Sequence, residues 1–256
     1  MRIIDLSVAL KNGIVSEPPH MAQSITYADH AAGAKEFMEI FPGLRREQIL
    51  DGQGPALERV SLTTHNGTHL DAPWHMHPTM DGGKPAISID QVPLEWCFSD
   101  GIKLDFRAKP DGYLCKADDV RRELERIAYR LKPLDIVLVN TAAGGAHEQP
   151  DYRDRGCGLG REATLYLLEQ GVRVTGTDAW SWDAPFSATK KRFAESGDAS
   201  LIWEGHKVSS EIGYCHMEKL ANLDKLPSYG FKIACFPVKI AAASAGWIRA
   251  VAMLPD

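Results

Sequence analysis

Residues 65–75 read His-Asn-Gly-Thr-His-Leu-Asp-Ala-Pro-Trp-His, which places three histidines and one aspartate within eleven positions. Neutral imidazole and carboxylate groups are ligands that Zn²⁺, Mn²⁺ and Fe²⁺ accept readily. His69 and Asp71 are two residues apart, so their side chains project to the same side of an extended chain. His65 can reach the same point only if the chain bends, and Asn66-Gly67 is a dipeptide that turns easily. The stretch therefore predicts a metal site on a bent loop.

The composition of the whole chain is that of an ordinary globular protein. Its 256 residues are 44% hydrophobic and 25% charged, with a formal net charge of −5, which argues against nucleic acid or an anionic membrane as the main partner. No apolar run approaches the roughly 20 residues of a membrane span, and the N-terminus lacks an apolar signal core. The five cysteines are scattered without a CxxC pair, which indicates reduced thiols. We expect a cytoplasmic protein that acts on a small molecule.

The order of predicted elements favours an α/β fold. Apolar residues recur at spacings of four, three and four from Val120 to Leu131, so a helix is predicted from Asp118 to about Leu131. The second half alternates helices and strands, as α/β proteins do. No repeat or linker is visible, so a single domain spanning residues 1–256 is predicted. The other predicted elements are helices 31–40 and 161–170, and strands 2–9, 57–64, 87–92, 101–106, 134–139, 172–175, 232–236 and 247–253.

Residues 11–56 lack a firm hydrophobic period and mix proline, glycine, histidine and charged residues. Long irregular segments inside compact domains are usually functional, so this segment is predicted to be a surface arm or lid. A passive contact in an oligomer explains the same composition equally well.

The stretch 65–75 resembles the HxGTHxDxPxH signature of the cyclase family, the metal-dependent hydrolases that include bacterial kynurenine formamidase and isatin hydrolase. The resemblance implies a single-domain swivelling β/β/α fold with a mixed sheet core and flanking helices, assembled as a homodimer or homotetramer. Residues 11–56 and 179–205 match the family poorly, which leaves the substrate open. The other segments that resemble family elements, in the same order, are 134–141, 171–178 with Ser181 after it, 206–223 and 247–252.

The resemblance also implies roles for individual residues. His75 would be the catalytic base or acid. Spacing alone does not distinguish His206 or Glu218 from the other histidines and acidic residues. The resemblance implies that His65, His69 and Asp71 bind one ion of Zn²⁺ or Mn²⁺. In family members that bind two ions, the resemblance implies that His206 and Glu218 bind the second ion and that Asp71 bridges the two.

The chemistry of such a site predicts hydrolysis. An ion held by two neutral imidazoles and one carboxylate keeps a positive charge and open positions, so it can bring the pKa of water toward about 7 and polarise a carbonyl. A histidine with an ordinary pKa of about 6.5, here His75, can take the proton of the water and return it to the leaving group. We therefore predict an amidohydrolase, of arylformamidase or isatin hydrolase type, that acts on C–N bonds other than peptide bonds in a small amide or lactam.

Several alternatives remain open at this level. Trp74, Trp180 and Trp182 are predicted to line a flat pocket for an aromatic substrate, but packing in the core would explain them as well. The same metal site would serve a lactonase, or a lyase or cyclase. A metal-binding protein without turnover is a further alternative, although closed structural zinc sites favour cysteine ligands.

Overall fold

The computed structural model describes residues 1–255 and contains two compact units. The larger unit comprises Met1–Ala9 and the described chain from Thr64 onward, and the smaller unit comprises Leu10–Thr63. The organisation of the chain as one functional domain stays a prediction. No α-helix within residues 1–255 combines the length and apolarity needed to span a bilayer. All five cysteines are free thiols, as predicted.

The helices and strands are numbered in chain order over both units. The strands are β1 (Arg2–Asp5), β2 (Ser24–Ala28), β3 (Leu57–Ser61), β4 (His69–Asp71), β5 (Thr79–Met80), β6 (Lys84–Pro85), β7 (Phe98–Asp105), β8 (Leu114–Cys115), β9 (Ile136–Asn140), β10 (Gly158–Leu159), β11 (Val174–Thr177), β12 (Cys215–Glu218), β13 (Phe231–Ala234), β14 (Ala245–Trp247) and β15 (Val251–Leu254). The α-helices are α1 (His30–Ile40), α2 (Ala117–Arg126), α3 (Arg161–Glu169), α4 (Phe186–Ser196) and α5 (Glu204–Lys207).

A nine-stranded mixed sheet forms the centre of the larger unit, in the order β1-β15-β13-β7-β9-β11-β12-β4-β14. The four strands β7, β9, β11 and β12 pair in parallel, and their neighbours on either side pair antiparallel. Strand β9 is buried on both faces, as parallel strands between two layers are. Val137 and Val139 face the core that includes α2 and α3, while Ile136 and Leu138 face the opposite core. The predicted α/β class with a mixed sheet and flanking helices is confirmed.

Most of the predicted elements exist, with ends shifted by a few residues, but several predictions are wrong. Helix α2 ends at Arg126 and not at Leu131, because Ala128 adopts a left-handed φ of 53°. The predicted strand 87–92 is instead a short 3₁₀ turn at Ile89–Gln91. The predicted strand 247–253 is interrupted and forms parts of β14 and β15. Helix α4 was not predicted, because its sequence is largely polar.

The smaller unit contains helix α1 and an antiparallel ribbon of β2 and β3. The predicted helix 31–40 is confirmed, and the Asp29 side chain caps it by accepting a hydrogen bond from the Ala32 backbone N–H. Gly33 permits a close approach to the following chain, since a Cβ there would lie 1.9 Å from the Pro55 carbonyl oxygen. All residues of β3 are exposed. The role of residues 11–56 as an arm or lid stays a prediction.

Candidate metal centre and active site

The strand register brings four candidate ligands to one face of the sheet. Strands β4 and β12 are antiparallel neighbours, and Asp71 lies opposite His216. The next pair on the same face is His69 and Glu218. Alternate residues of a strand share a face, so these side chains project together. The intervening residue of each strand enters the hydrophobic core on the other face.

The loop before β4 bends as predicted and brings His65 to the same place. Gly67 adopts a left-handed φ of 59°, which turns the chain between His65 and His69. His65 Nδ1 lies 2.9 Å from Asp71 Oδ1, and His69 Nε2 lies 3.3 Å from the same oxygen. The three residues predicted to hold one ion are therefore adjacent in the structure.

The second predicted pair of ligands lies on the other side of Asp71. His206 Nε2, on helix α5, is 3.5 Å from Glu218 Oε1 and 3.0 Å from His216 Nε2. His216 Nε2 is also 3.1 Å from Asp71 Oδ2. Two groups of residues thus offer donor atoms that lie within 4.8 Å of one another, and Asp71 belongs to both. One group is Asp71, His206, His216 and Glu218, and the other is His65, Asp71 and His75.

Each of three imidazoles uses its second ring nitrogen for a partner outside these groups, which fixes the orientation of the ring. One of these partners, Asp183, also holds the start of helix α5. It accepts hydrogen bonds from the backbone N–H groups of Gly205 and His206 as well as from the His206 ring. The pairs are His65 Nε2 with Ser244 Oγ at 3.0 Å, His69 Nδ1 with the Gly67 carbonyl at 2.9 Å, and His206 Nδ1 with Asp183 Oδ2.

Several donor atoms of the site have no hydrogen bond of acceptable geometry. These atoms are His69 Nε2 and both carboxylate oxygens of Asp71, and all three are buried. Buried polar atoms in proteins are nearly always satisfied, so three unsatisfied atoms that converge on one space fit ligands of a cation. Imidazole nitrogen and carboxylate oxygen are suitable donors for Zn²⁺ or Mn²⁺. The donor set therefore supports the predicted divalent metal.

The electrostatics of the cluster pair its buried carboxylates with positive charge. Burial opposes the ionisation of Asp71, but the surrounding histidines outweigh it and hold the pKa of its carboxyl well below the usual range. Burial likewise opposes the ionisation of Glu218, yet His216 brings the pKa of Glu218 down to about 2. In return, and against its own burial, the pKa of His216 is raised to about 10 by Asp71 and Glu218. Two buried carboxylates thus require positive charge beside them.

His75 stands next to the cluster. Its Nε2 lies 3.9 Å from Asp71 Oδ2, and its ring centroid lies 4.2 Å from that of His65. Burial, reinforced by the neighbouring histidines, outweighs the attraction of Asp71 and lowers the pKa of His75 to about 4. This pKa is lower than the ordinary value of about 6.5 expected from the sequence, and the imidazole is neutral at pH 7, the state in which it can accept a proton.

The three tryptophans predicted to contact a substrate lie in different surroundings. Trp182 is fully buried and donates a hydrogen bond from Nε1 to Thr164 Oγ1. Its ring stacks against His216 at 6.4 Å between centroids, so Trp182 supports the cluster from the core and does not line a pocket. Trp74 is 45% exposed, and Trp180 is partly buried.

A group of aromatic rings adjoins His75 and His206. Trp203 has a left-handed φ of 51°, which is rare for a bulky residue, and its ring stacks on His206 with centroids 4.8 Å apart. The same ring lies 5.7 Å from His75 and 5.7 Å from Phe186. Phe186 in turn lies 6.1 Å from Trp180. We call Trp180, Phe186 and Trp203 the aromatic wall.

Two residues of the site were missed by sequence reasoning. His216 has a readable signal, because it precedes Glu218 by two residues, the spacing that places His69 beside Asp71 on an extended chain. Trp203 has no such signal, since its position depends on a left-handed turn before a four-residue helix.

Comparison with known proteins identifies the family. The Cyclase family model matches residues 4–184, a span that includes the stretch 65–75 but not His206 or Glu218. The chain belongs to the cyclase family. Kynurenine formamidase of Erythrobacter litoralis is 26% identical over 257 residues, which cover 100% of this chain and 95% of that protein.

Solved structures of the same fold include isatin hydrolase A from Ralstonia solanacearum, with a TM-score of 0.76 and 21% identity over 99% of this chain and 92% of the other. An isatin hydrolase bound to the product analogue thioisatinate has a TM-score of 0.73 and 20% identity, with the same two coverages. The predicted cyclase fold is confirmed. Kynurenine formamidase and isatin hydrolase are hydrolases of C–N bonds outside peptides, which agrees with the predicted enzyme class.

Proposed function

We propose that this protein is a metal-dependent hydrolase that cleaves the C–N bond of a small amide or lactam, as an arylformamidase or isatin hydrolase does. The observation that carries the proposal is the set of buried, unsatisfied donors on His69 and Asp71 beside a neutral His75. The names of the relatives in the same family support the reaction class.

The ligand roles in the proposal follow the two groups of donors. His65, His69 and Asp71 would hold one divalent ion, Zn²⁺ or Mn²⁺. His206 and Glu218 would hold a second ion, to which Asp71 would also contribute. When bound, such an ion supplies Lewis acidity, which polarises a carbonyl group and acidifies water.

His75 moves the proton in this proposal. As a neutral imidazole it takes the proton of the attacking water on Nε2, the nitrogen that faces Asp71. The protonated ring then returns that proton to the leaving nitrogen, so His75 serves as base and afterwards as acid. The carboxylate of Asp71 favours the protonated form of His75.

The aromatic wall favours a substrate with an aryl group. Trp203 stacks on His206 and adjoins His75, so a flat ring placed against it lies within reach of the proposed base. Trp180 extends the wall through Phe186, and Trp74 precedes His75 in the chain. We include Trp74 and Trp180 among the substrate-binding residues and leave out Trp182, whose ring is buried.

A substrate screen tests the proposal. The protein, loaded separately with Mn²⁺ and Zn²⁺, is assayed against N-formylkynurenine, isatin and a set of aryl amides and aryl lactones, in water labelled with ¹⁸O. Hydrolysis of an amide or lactam, with one labelled oxygen in the acid product, is the expected result. Turnover of lactones alone would favour the lactonase alternative, and a product without label would favour a lyase or cyclase.

Assembly is a separate proposal. From the family resemblance we propose a cytoplasmic homodimer or homotetramer. Size-exclusion chromatography with light scattering measures the mass directly, and a monomer at micromolar concentration would contradict the proposed assembly.

A further inference from the structure

We propose that His216 is a ligand of the second ion, and that it completes a four-residue inner site with Asp71, His206 and Glu218. The outer site is the position held by His65, His69 and Asp71, next to His75. This inference rests on the proposed metal-dependent function and adds a ligand that the sequence did not single out.

The strand register fixes His216 in the inner site. It lies directly opposite Asp71 and on the same face of β12 as Glu218. On the other side of β4, the residue that pairs with Asp71 is Ala245, whose methyl side chain has no atom that can bind a metal. In this row of the sheet, therefore, only β12 supplies a second ligand beside Asp71.

The distances between the donor atoms match a small coordination sphere. A tetrahedral ion with bonds of about 2.0–2.1 Å separates its ligand atoms by about 3.3 Å. His216 Nε2 lies 3.0 Å from His206 Nε2, 3.1 Å from Asp71 Oδ2 and 3.5 Å from Glu218 Oε1. The separation between His206 Nε2 and Glu218 Oε1 is also 3.5 Å. These four separations bracket the tetrahedral value, and all donor atoms of the group lie within 4.8 Å of one another.

The protonation of His206 supports the same arrangement. The Asp183 carboxylate accepts from Nδ1, so a neutral His206 carries its proton there and presents a lone pair on Nε2. That lone pair faces His216 Nε2 and both carboxylates of the inner site. Two convergent imidazole nitrogens and two carboxylates form an N₂O₂ donor set, which suits Zn²⁺ or Mn²⁺.

A competing role for His216 is also consistent with its contacts. As an imidazolium, it would neutralise Asp71 and Glu218 itself and take the place of the second ion. The two roles predict different numbers of bound ions. If His216 is a ligand, wild type binds two ions per chain and a variant without His216 binds one. If His216 is an imidazolium, wild type binds one ion and a variant without His216 still binds it.

The inner and outer sites differ in their access to solvent. Each of the four inner residues is at most 6% exposed, whereas the side chains of His65 and His75 beside the outer site are 20% and 19% exposed. The Trp182 ring stacks against His216, and its backbone N–H donates to Glu218 Oε1 at 2.9 Å. The inner ion should therefore exchange more slowly than the outer ion, which lies where substrate approaches.

Metal content is the primary test. Wild type, His216→Ala and a matched control, His77→Ala, are loaded with Zn²⁺, desalted and measured by inductively coupled plasma mass spectrometry. His77 is exposed and bonds only with Thr79 among the partners described. We expect two ions in wild type and in His77→Ala, and one ion in His216→Ala. Loss of metal to excess chelator should show a fast and a slow phase in wild type, and no slow phase in His216→Ala.

A second variant reports ligation directly and covers the case in which His216→Ala fails to fold. His216→Cys loaded with Co²⁺ should show a thiolate-to-cobalt charge-transfer band that wild type lacks. Absence of this band overturns the inference. A metal content of one ion per chain in wild type, or of two ions per chain in His216→Ala, also overturns it. A wild type that binds one ion leaves the proposed hydrolase intact, whereas a wild type that binds none overturns both.

Discussion

Replacement of Asp183 by asparagine tests whether the hydrogen bond to His206 Nδ1 sets the affinity of the metal centre. Asp183 Oδ1 accepts from the Gly205 backbone N–H at 2.7 Å, and Oδ2 accepts from both the backbone and the ring of His206. Asparagine has one acceptor atom in place of two. Its amide N–H group must therefore either face one of these donors or donate to His206 Nδ1. In the second case the His206 proton moves to Nε2, and the lone pair that faces the cluster is lost.

The expected cost is a 10- to 100-fold loss of metal affinity, which is the usual effect of losing such a partner and corresponds to ~1.4–2.7 kcal/mol. Titration with Mn²⁺ in competition with a chromophoric chelator measures it. Asp178→Asn is the matched control, because Asp178 is also buried and accepts hydrogen bonds, but from Asn140 and Thr141. Wild-type affinity in Asp183→Asn, or an equal loss in both variants, would refute the reasoning.

The remaining predictions concern the reaction itself. His75→Ala should keep most of the metal but lower kcat about 10²- to 10⁴-fold, since it removes only the proton transfer; unchanged turnover would contradict its role. Asp71→Ala should lose metal and activity together, which metal analysis of the purified variant checks, because Asp71 belongs to both ligand groups. Trp203→Ala should raise KM for aryl substrates roughly 2- to 13-fold, because the stacking contact is lost. Trp203→Phe should raise KM for the same substrates much less. For a compact alkyl amide, KM should be the same in wild type and in both variants.

Local features of the sequence explain which parts of the structure could be predicted. The bend at Gly67 and the same-face spacing of His69 and Asp71 depend only on neighbouring residues, so the loop and its ligands follow from the stretch 65–75. The contact of His206 with this loop joins residues far apart in the chain. Only the family resemblance suggested it, because nothing local shows where α5 lies.

Other features depended on tertiary packing and were missed for that reason. The periodic apolar residues after Arg126 predict a longer α2, but the chain leaves the helix at Ala128, and Leu131 still reaches the same core from outside the helix. Trp182 and Trp203 are equivalent as sequence, yet one ring is buried under His216 and the other stacks on His206. Side-chain chemistry alone could not separate these two tryptophans.

The pairing of β4 with β12 ties metal binding to the folding equilibrium. A slip of β12 by one residue against β4 would turn His216 and Glu218 toward the apolar side and bring Met217 to the face that carries His69 and Asp71. Only the native alignment therefore brings all four ligands together, and an ion bound between the two strands selects that alignment over its competitors. At an ion concentration 100 times the Kd, this selection stabilises the folded chain by about 2.7 kcal/mol. Bound metal should therefore stabilise the correctly paired sheet relative to sheets with a shifted register.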